Sequence, residues 1–190
     1  MAIQSYVMSG IEKIEFAPAY TTEAGAPAAN AWRRVENIAP GSVTYNNNED
    51  NKTPITPEDK DAPVVVLKAP GDPDSFDFSV LDFSPENFAD LFNVAYDAAT
   101  TKITMLAQRK ESALAIRVTT RPVGGTKRIY VFPNTTTTAT VQNSFTKDGL
   151  VQIGASADIL SFTTTAGQEA LYTHQIVNPD GTTINSTPAG

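Results

Sequence analysis

The segment from Ser75 to Phe92, SFDFSVLDFSPENFADLF, constrains the fold more than any other part of the chain. Phe76, Phe78 and Val80 alternate with Asp77 and Ser79, the period-2 pattern of a strand with one face in a core. Ser84 then stands where a helix N-cap belongs, and Pro85 at the first helical position, where its missing N–H costs nothing. Glu86 puts a negative charge in the first turn, beside the positive end of the helix dipole. Phe88, Leu91, Phe92 and Ala95 recur at i, i+3, i+4 and i+7, which gives the helix one apolar face. The Phe88, Leu91 and Phe92 side chains are therefore expected to pack on a sheet.

The remainder of the chain reads as strands. Ile14 and Phe16 alternate with Lys13 and Glu15 over Ile11–Ala17, and a mixed pattern runs from Trp32 to Ile38. Pro40-Gly41 signals a turn ahead of a strand from Ser42 to Tyr45. Val64–Leu67 is a continuous apolar run, expected as a short buried strand. Strands are expected at Ile103–Gln108 and Ala113–Thr120, with Leu114, Ile116 and Val118 on one face and Arg117 and Thr119 on the other. Gly124-Gly125 has the chemistry of a tight hairpin turn leading to a strand at Arg128–Phe132. Pro133-Asn134 interrupts it, the Thr-rich stretch to Phe145 is extended, and Lys147-Asp148-Gly149 turns into a long strand from Leu150 to Phe162. Gly154 marks a bulge or bend in that strand. Ala170–Val177 fits a strand or a short helix equally, and 178–190 reads as a loose tail. With one helix among so many strands, the expected class is mainly β (α+β): a β-sandwich or partial barrel with one flanking α-helix. A length of 190 residues suits a single domain, 1–190, able to bury a sizeable core.

Residues 46–61, NNNEDNKTPITPEDKD, form the most polar stretch, with two prolines and almost no apolar content. Such a segment cannot enter a core and is expected as an exposed loop. Loops this long are usually functional or disordered; simple disorder is one reading, and the expected one is an arm between subunits that orders on assembly, carried by Asn47, Asn48, Glu49, Asp50, Lys52, Glu58, Asp59 and Lys60. The net charge of −7 is unevenly spread. Residues 1–100 hold 16 Asp/Glu against 6 Lys/Arg, whereas residues 101–190 hold 5 against 8. Solvated faces or strand pairing within one subunit would account for this. So would self-association of an acidic with a basic surface. A net-negative chain is a poor general binder of nucleic acid.

No residue set for catalysis emerges. His174 is the only histidine, and no Gly-x-Ser-x-Gly nucleophile elbow is present. Gly124-Gly125-Thr126-Lys127 lacks the first glycine of a phosphate loop. Asp72, Asp74 and Asp77, and Glu49 with Asp50, lack the calcium-loop pattern and suit turns. There is no cysteine, hence no disulfide or Cys-based zinc site. No apolar run approaches bilayer length, and the opening MAIQSYVMSG lacks the zones of a signal peptide. The sequons at Asn51, Asn134 and Asn185 are therefore expected to be coincidental. The expectation is a non-enzymatic protein with no catalytic residues, metal or cofactor, made in a cytoplasm.

The order of these elements resembles bacteriophage major tail tube proteins. The matching stretches are GIEKIEFAP near the start, the Pro40-Gly41-Ser42-Val43 turn before a long polar hairpin, the strand–DFSPEN–helix segment, and FPNTTTTATVQNSFTKDGLVQIG. Together they span about residues 10–165, with no single motif diagnostic. The resemblance implies a structural virion protein that forms stacked hexameric rings around a channel for DNA passage into the host. It implies that the partners are further copies of the chain, other tail proteins such as tape measure and terminator (and in some tails a sheath), and DNA that passes without specific binding. The same fold forms the inner tube of contractile injection systems. From another class, a β-sandwich binding module, such as a capsid decoration or carbohydrate-binding domain, would use an aromatic platform; Tyr20, Trp32 and Tyr45 could supply one.

Overall fold

The computed structural model describes residues 10–69, 71–100, 102–105, 107, 110–142 and 151–184. In chain order its elements are β1 (Ile11–Pro18), β2 (Arg33–Val35), β3 (Thr44–Asn46), β4 (Asn51–Ile55), β5 (Val65–Ala69) and β6 (Ser75–Val80). The helix α1 (Pro85–Phe92) follows, then β7 (Tyr96–Asp97), β8 (Lys102–Ile103), β9 (Ser112–Thr120), β10 (Lys127–Gln142) and β11 (Gln152–Ile159). The last strands are β12 (Phe162–Thr163), β13 (Glu169–Ala170) and β14 (Thr173–Val177).

Eight strands form one antiparallel sheet in the order β2-β1-β9-β10-β11-β6-β3, with β14 pairing the first half of β10. The sheet curls until Asn37–Ala39, just beyond β2, reaches the end of β6: Ala39 N–H donates to Ser79 O, and Leu81 N–H to Asn37 O. No barrel closes among the described residues; the architecture is a mainly β partial barrel with one helix. Alternation along each strand sends Ile14, Phe16, Phe76, Phe78, Val80, Ile116, Val118 and Ile153 into one core, and Leu91 and Phe92 of α1 plug it. Phe88, partly buried, stacks on Phe92 with ring centroids 5.1 Å apart.

The helix is held from its polar side too. Arg33 on β2 donates to Asp90 Oδ2 (2.9 Å from Nε, 2.5 Å from Nη2) and to Asn87 Oδ1 (2.8 Å), and Asn87 is fully buried. Asn87 in turn donates to the carbonyl and carboxylate of Asp82 (3.1 Å each). Ser84 makes no side-chain cap; instead Asp82 Oδ1 accepts from Ser84 N–H. Asn93 ends the helix in the left-handed region at φ 49°, which leaves Ala95 exposed beyond the helix rather than on its apolar face.

Several other expectations are corrected. Val64–Leu67 is exposed, not buried, because its strand pairs only with β4. The polar stretch is not all loop: β4 runs through it, so 46–61 is one side and the tip of a hairpin arm. Pro133-Asn134 does not end a strand; β10 is continuous and absorbs both residues as a register shift against β9 between Phe132 and Thr135. Gly154 sits in regular register opposite Thr140, with no bulge. A Cβ there would strike the Gln142 side chain, so the glycine makes room for a crossing amide. Of the expected Ile103–Gln108 strand, Ile103 alone among the described residues lies in a strand (β8), and the expected strand to Phe162 divides into β11 and β12. Ala170–Val177 holds no helix: Ala170 ends β13 and Thr173–Val177 is β14, after which Asn178–Thr182 turns back so that Val177 bridges Thr183. The Lys147-Asp148-Gly149 turn, the Asn185 sequon and the end of the tail lie outside the described residues.

Candidate functional site

The expected arm residues divide between a clamped base and an exposed tip. At the base, Asp74 gathers three donors: Tyr45 Oη (2.5 Å), Asn47 Nδ2 and Asn48 N–H (2.9 Å each). Burial alone would raise the Asp74 pKa, but these hydrogen bonds outweigh it and hold the carboxylate below its ordinary value. The Tyr45 hydroxyl is pushed the other way, up to about 12, by burial and by its bond to that carboxylate. Asn48 Nδ2 also donates to Pro73 O (2.7 Å), and a Cβ on Gly71 would meet the backbone carbonyl of Glu49. The two legs of the arm therefore touch at their root. Lys52 pairs with Glu49 (3.3 Å) in the open. Asp50, Glu58, Asp59 and Lys60 are exposed, and Lys60 N–H closes a tip turn on Pro57 O (3.1 Å).

Between base and tip the arm is a two-stranded ribbon with an uneven pair of faces. Register pairs Ile55 with Val65 and Thr53 with Leu67, while Lys52 opposes Lys68 and Pro54 opposes Val66. One face thus carries Ile55, Val65, Leu67 and Thr53 without a charge, and the other carries two lysines. Ile55, Val65, Val66 and Leu67 are each about half exposed. No residue pattern in 46–61 announces this apolar face; the signal lies in the Val64–Leu67 run, which looks the same in a sequence whether buried or not.

A second surface lies on the outer side of the sheet. Thr136, Thr138, Thr140 and Gln142 of β10 share it with Gln152, Ser156 and Asp158 of β11, Ser75, Asp77 and Ser79 of β6, and Thr44 and Asn46 of β3. Every one is a hydroxyl, amide or carboxylate residue, and none is Lys or Arg. Asp77 accepts from Ser156 Oγ (2.6 Å) and Asn46 Nδ2 (2.7 Å), which ties three strands together across this face. The opposite side of the same strands is the core, so the Thr run divides cleanly: Thr135 and Thr137 are fully buried, and Thr135 Oγ1 donates to Leu114 O (2.7 Å).

A third feature is a groove of about 480 Å³ at the mouth of the core, walled by Tyr45, Phe76, Tyr130, Phe132, Tyr172 and Val118. Tyr172 meets Tyr45, Tyr130 and Phe132 with centroids 5.6–6.1 Å apart. Tyr45 is thereby separated from Trp32, which stacks on the Arg117 guanidinium (4.4 Å) on the other face of the sheet. The three-ring platform of Tyr20, Trp32 and Tyr45 is not brought together.

The chemical candidates are committed elsewhere. His174 stacks on Tyr130 (5.4 Å) and stands 3.5 Å from Arg128 Nη1. Gly124 and Gly125 both have positive φ (60° and 79°) and form the β9–β10 hairpin turn, closed by Val123 and Thr126. Asp74 and Asp77 hold separate partners, and among the described residues no group of three or more His, Asp or Glu could hold a metal ion. Among them, too, no helix is long and apolar enough to cross a membrane, which says nothing of a β-barrel. Fold and surfaces define a mainly β partial barrel with a projecting arm. No family model and no curated protein matches the chain.

Proposed function

We propose that this chain is the subunit of a tube: a structural, non-enzymatic protein of the bacteriophage major tail tube type. Copies form hexameric rings, the rings stack head to tail, and the bore conducts DNA out of the virion. One observation carries the reading, the patch without Lys or Arg formed by the outer sides of the second half of β10 (Thr136 to Gln142), β11, β6 and β3, with Arg117 and Lys127 standing farther along the same side of the sheet. A conduit for a polyanion must not hold it, and a wall of hydroxyls, amides and the carboxylates of Asp77 and Asp158 offers phosphate no counter-charge. Two further features are in keeping with assembly. The sheet ends in short strands, β2 and β3, whose outer edges can pair with a neighbour and so extend the wall around a ring. The arm carries apolar surface that nothing among the described residues covers. Partners are then further copies, the tape measure and terminator proteins, and in some tails a sheath; the location is the virion tail. The inner tube of a contractile injection system is the same reading in another machine.

Electron microscopy of the purified protein over a range of concentrations tests this. Rings with a central channel, or tubes, are the expected result. A species that stays monomeric under every condition overturns it. The aromatic groove favours a second reading, a capsid decoration or carbohydrate-binding module, and glycan binding by the monomer would replace the first reading with that one.

A further inference from the structure

The arm is a two-stranded sheet of its own, and among the described residues no ladder joins β4 or β5 to the eight-stranded sheet. Every residue of both strands is exposed. What fixes the arm's direction therefore lies at its root, where the chain leaves β3 and enters β6. Asp74 stands there, buried, with a hold on each side. Its carbonyl accepts from Ile159 N–H (2.8 Å) at the end of β11. Its carboxylate accepts from Tyr45 Oη on β3 (2.5 Å), and from Asn47 Nδ2 and Asn48 N–H on the rising leg of the arm (2.9 Å each). Tyr45 is itself held: its backbone is in register with Phe76, and its ring lies 6.0 Å from Phe132 and from Tyr172. One residue thus joins β11, β3 and the arm.

Hydrogen bonds to an ionised acceptor are about twice as strong as neutral ones, and a buried carboxylate is costly without them. The β3–β6 ladder does not need these three, since it is formed by backbone pairing from Thr44 with Asp77 to Asn46 with Ser75. They act on the angle at which the chain departs from β3. The angle matters for binding. A ribbon that swings freely loses that freedom on contact with any partner, whereas one held beforehand does not.

We propose that Asp74 is a latch: it holds the arm at one angle to the sheet in the isolated subunit, and breaking its bonds to Tyr45, Asn47 and Asn48 lets the arm swing while the sheet stays folded. Asp74 is a positioning residue in this scheme, and the β4–β5 ladder persists whether the arm is held or released. The inference concerns a single copy and does not depend on the tube reading.

The absence of cysteine makes the test direct. Asp59→Cys at the arm's tip and Thr138→Cys on β10, both exposed, are given nitroxide labels. Pulsed electron paramagnetic resonance then reads the distance between them in the monomer taken from a sizing column and diluted with unlabelled protein. One narrow distance is expected in the parent. Tyr45→Phe combined with Asn47→Ala removes two donors and leaves the ring and the carboxylate in place; Asp74→Leu removes every side-chain acceptor. Each should turn the narrow distance into a broad distribution, while far-ultraviolet circular dichroism and a single cooperative unfolding transition stay as in the parent. If Asp74→Leu fails to fold, the Tyr45→Phe/Asn47→Ala protein decides. A broad distribution in the parent overturns the latch, and so does an unchanged narrow one in the Tyr45→Phe/Asn47→Ala protein. Loss of the folded sheet in both variants overturns it too, because Asp74 would then belong to the fold and not to the arm alone. Tubes built by a protein whose arm distance is broad leave the tube reading standing without the latch. A narrow, Asp74-dependent distance in a protein that never assembles leaves the latch standing without the tube.

Discussion

Glu15 shows how much a single side chain is asked to carry. It points away from the core on β1, yet it is almost fully covered, because Arg117 on the neighbouring strand reaches across to it (2.7 Å) and Lys13 closes the other side (3.1 Å). Trp32 roofs the Arg117 guanidinium. Burial by itself would raise the Glu15 pKa; the hydrogen bonds from Arg117 and Lys13 outweigh it, so the carboxyl titrates below its ordinary value. The sign of the pH effect follows. A depressed folded-state pKa contributes stability that is fully present above the unfolded value and lost as pH falls through the folded one. Denaturant unfolding from pH 7 to pH 3 should therefore show wild-type stability falling on the acid side. Glu15→Gln should cost about 1.5–3 kcal/mol at pH 7, the range for a hydrogen bond to a charged group, and the gap should narrow toward pH 3. A gap that stays constant with pH would mean that Glu15 matters for packing and not for its charge.

At the scale of elements, the arm is the part that the subunit's own fold does not need. Its legs meet where Gly71 abuts the Glu49 carbonyl, so a cut there leaves ends already adjacent, and closing a short loop costs little. Deleting residues 50–70 behind a two-glycine link should leave stability within about 1 kcal/mol of the parent, the scale expected for altered loop closure, while abolishing higher assembly. Chemical unfolding and sizing of the same sample check both halves, and normal tubes from the deleted protein would remove the arm's role. The same element shows where reading a sequence succeeds and where it stops. Phe76, Phe78 and Val80, and Pro85 through Phe92, were legible because alternation and helical spacing are local and each residue's face follows from its position. Ser84 looked like a cap by type, but Asp82 met the local backbone need from two residues away. Val64–Leu67 misled for a deeper reason. An apolar run says that water is unfavourable there, not what displaces the water, and here no other element among the described residues packs over it. The patch without Lys or Arg was equally hidden, since it exists only once β10, β11, β6 and β3, scattered from Thr44 to Asp158, lie side by side.

For the whole molecule, the charge asymmetry becomes a geometric statement. The acidic half of the sequence supplies both ends of the arm and the Asp77 carboxylate of the outer face. The basic cluster from Lys102 to Arg128 supplies Arg121 and Arg128 beside the groove. Part of that basic charge is used within the subunit, as in the Arg117–Glu15 pair, and such covered pairs respond weakly to salt. The acidic residues of the arm and Arg121 are exposed to solvent and respond strongly, because screening shortens the reach of a charge from about 10 Å at 0.1 M salt to about 3 Å at 1 M. Two consequences separate. On the proposed tube reading, acidic surface on one copy is drawn to basic surface on another, so assembly followed by light scattering should slow several-fold as salt rises from about 0.05 to 0.5 M. If assembly then covers the arm's apolar face, assembled material should resist dissociation over the same range. Reversing Arg121 to Glu should flatten the salt dependence of the rate and leave the assembled state intact. A rate indifferent to ionic strength in the parent protein would mean that apolar surface alone brings the copies together, and the charge asymmetry would then belong to the solvated faces of each subunit.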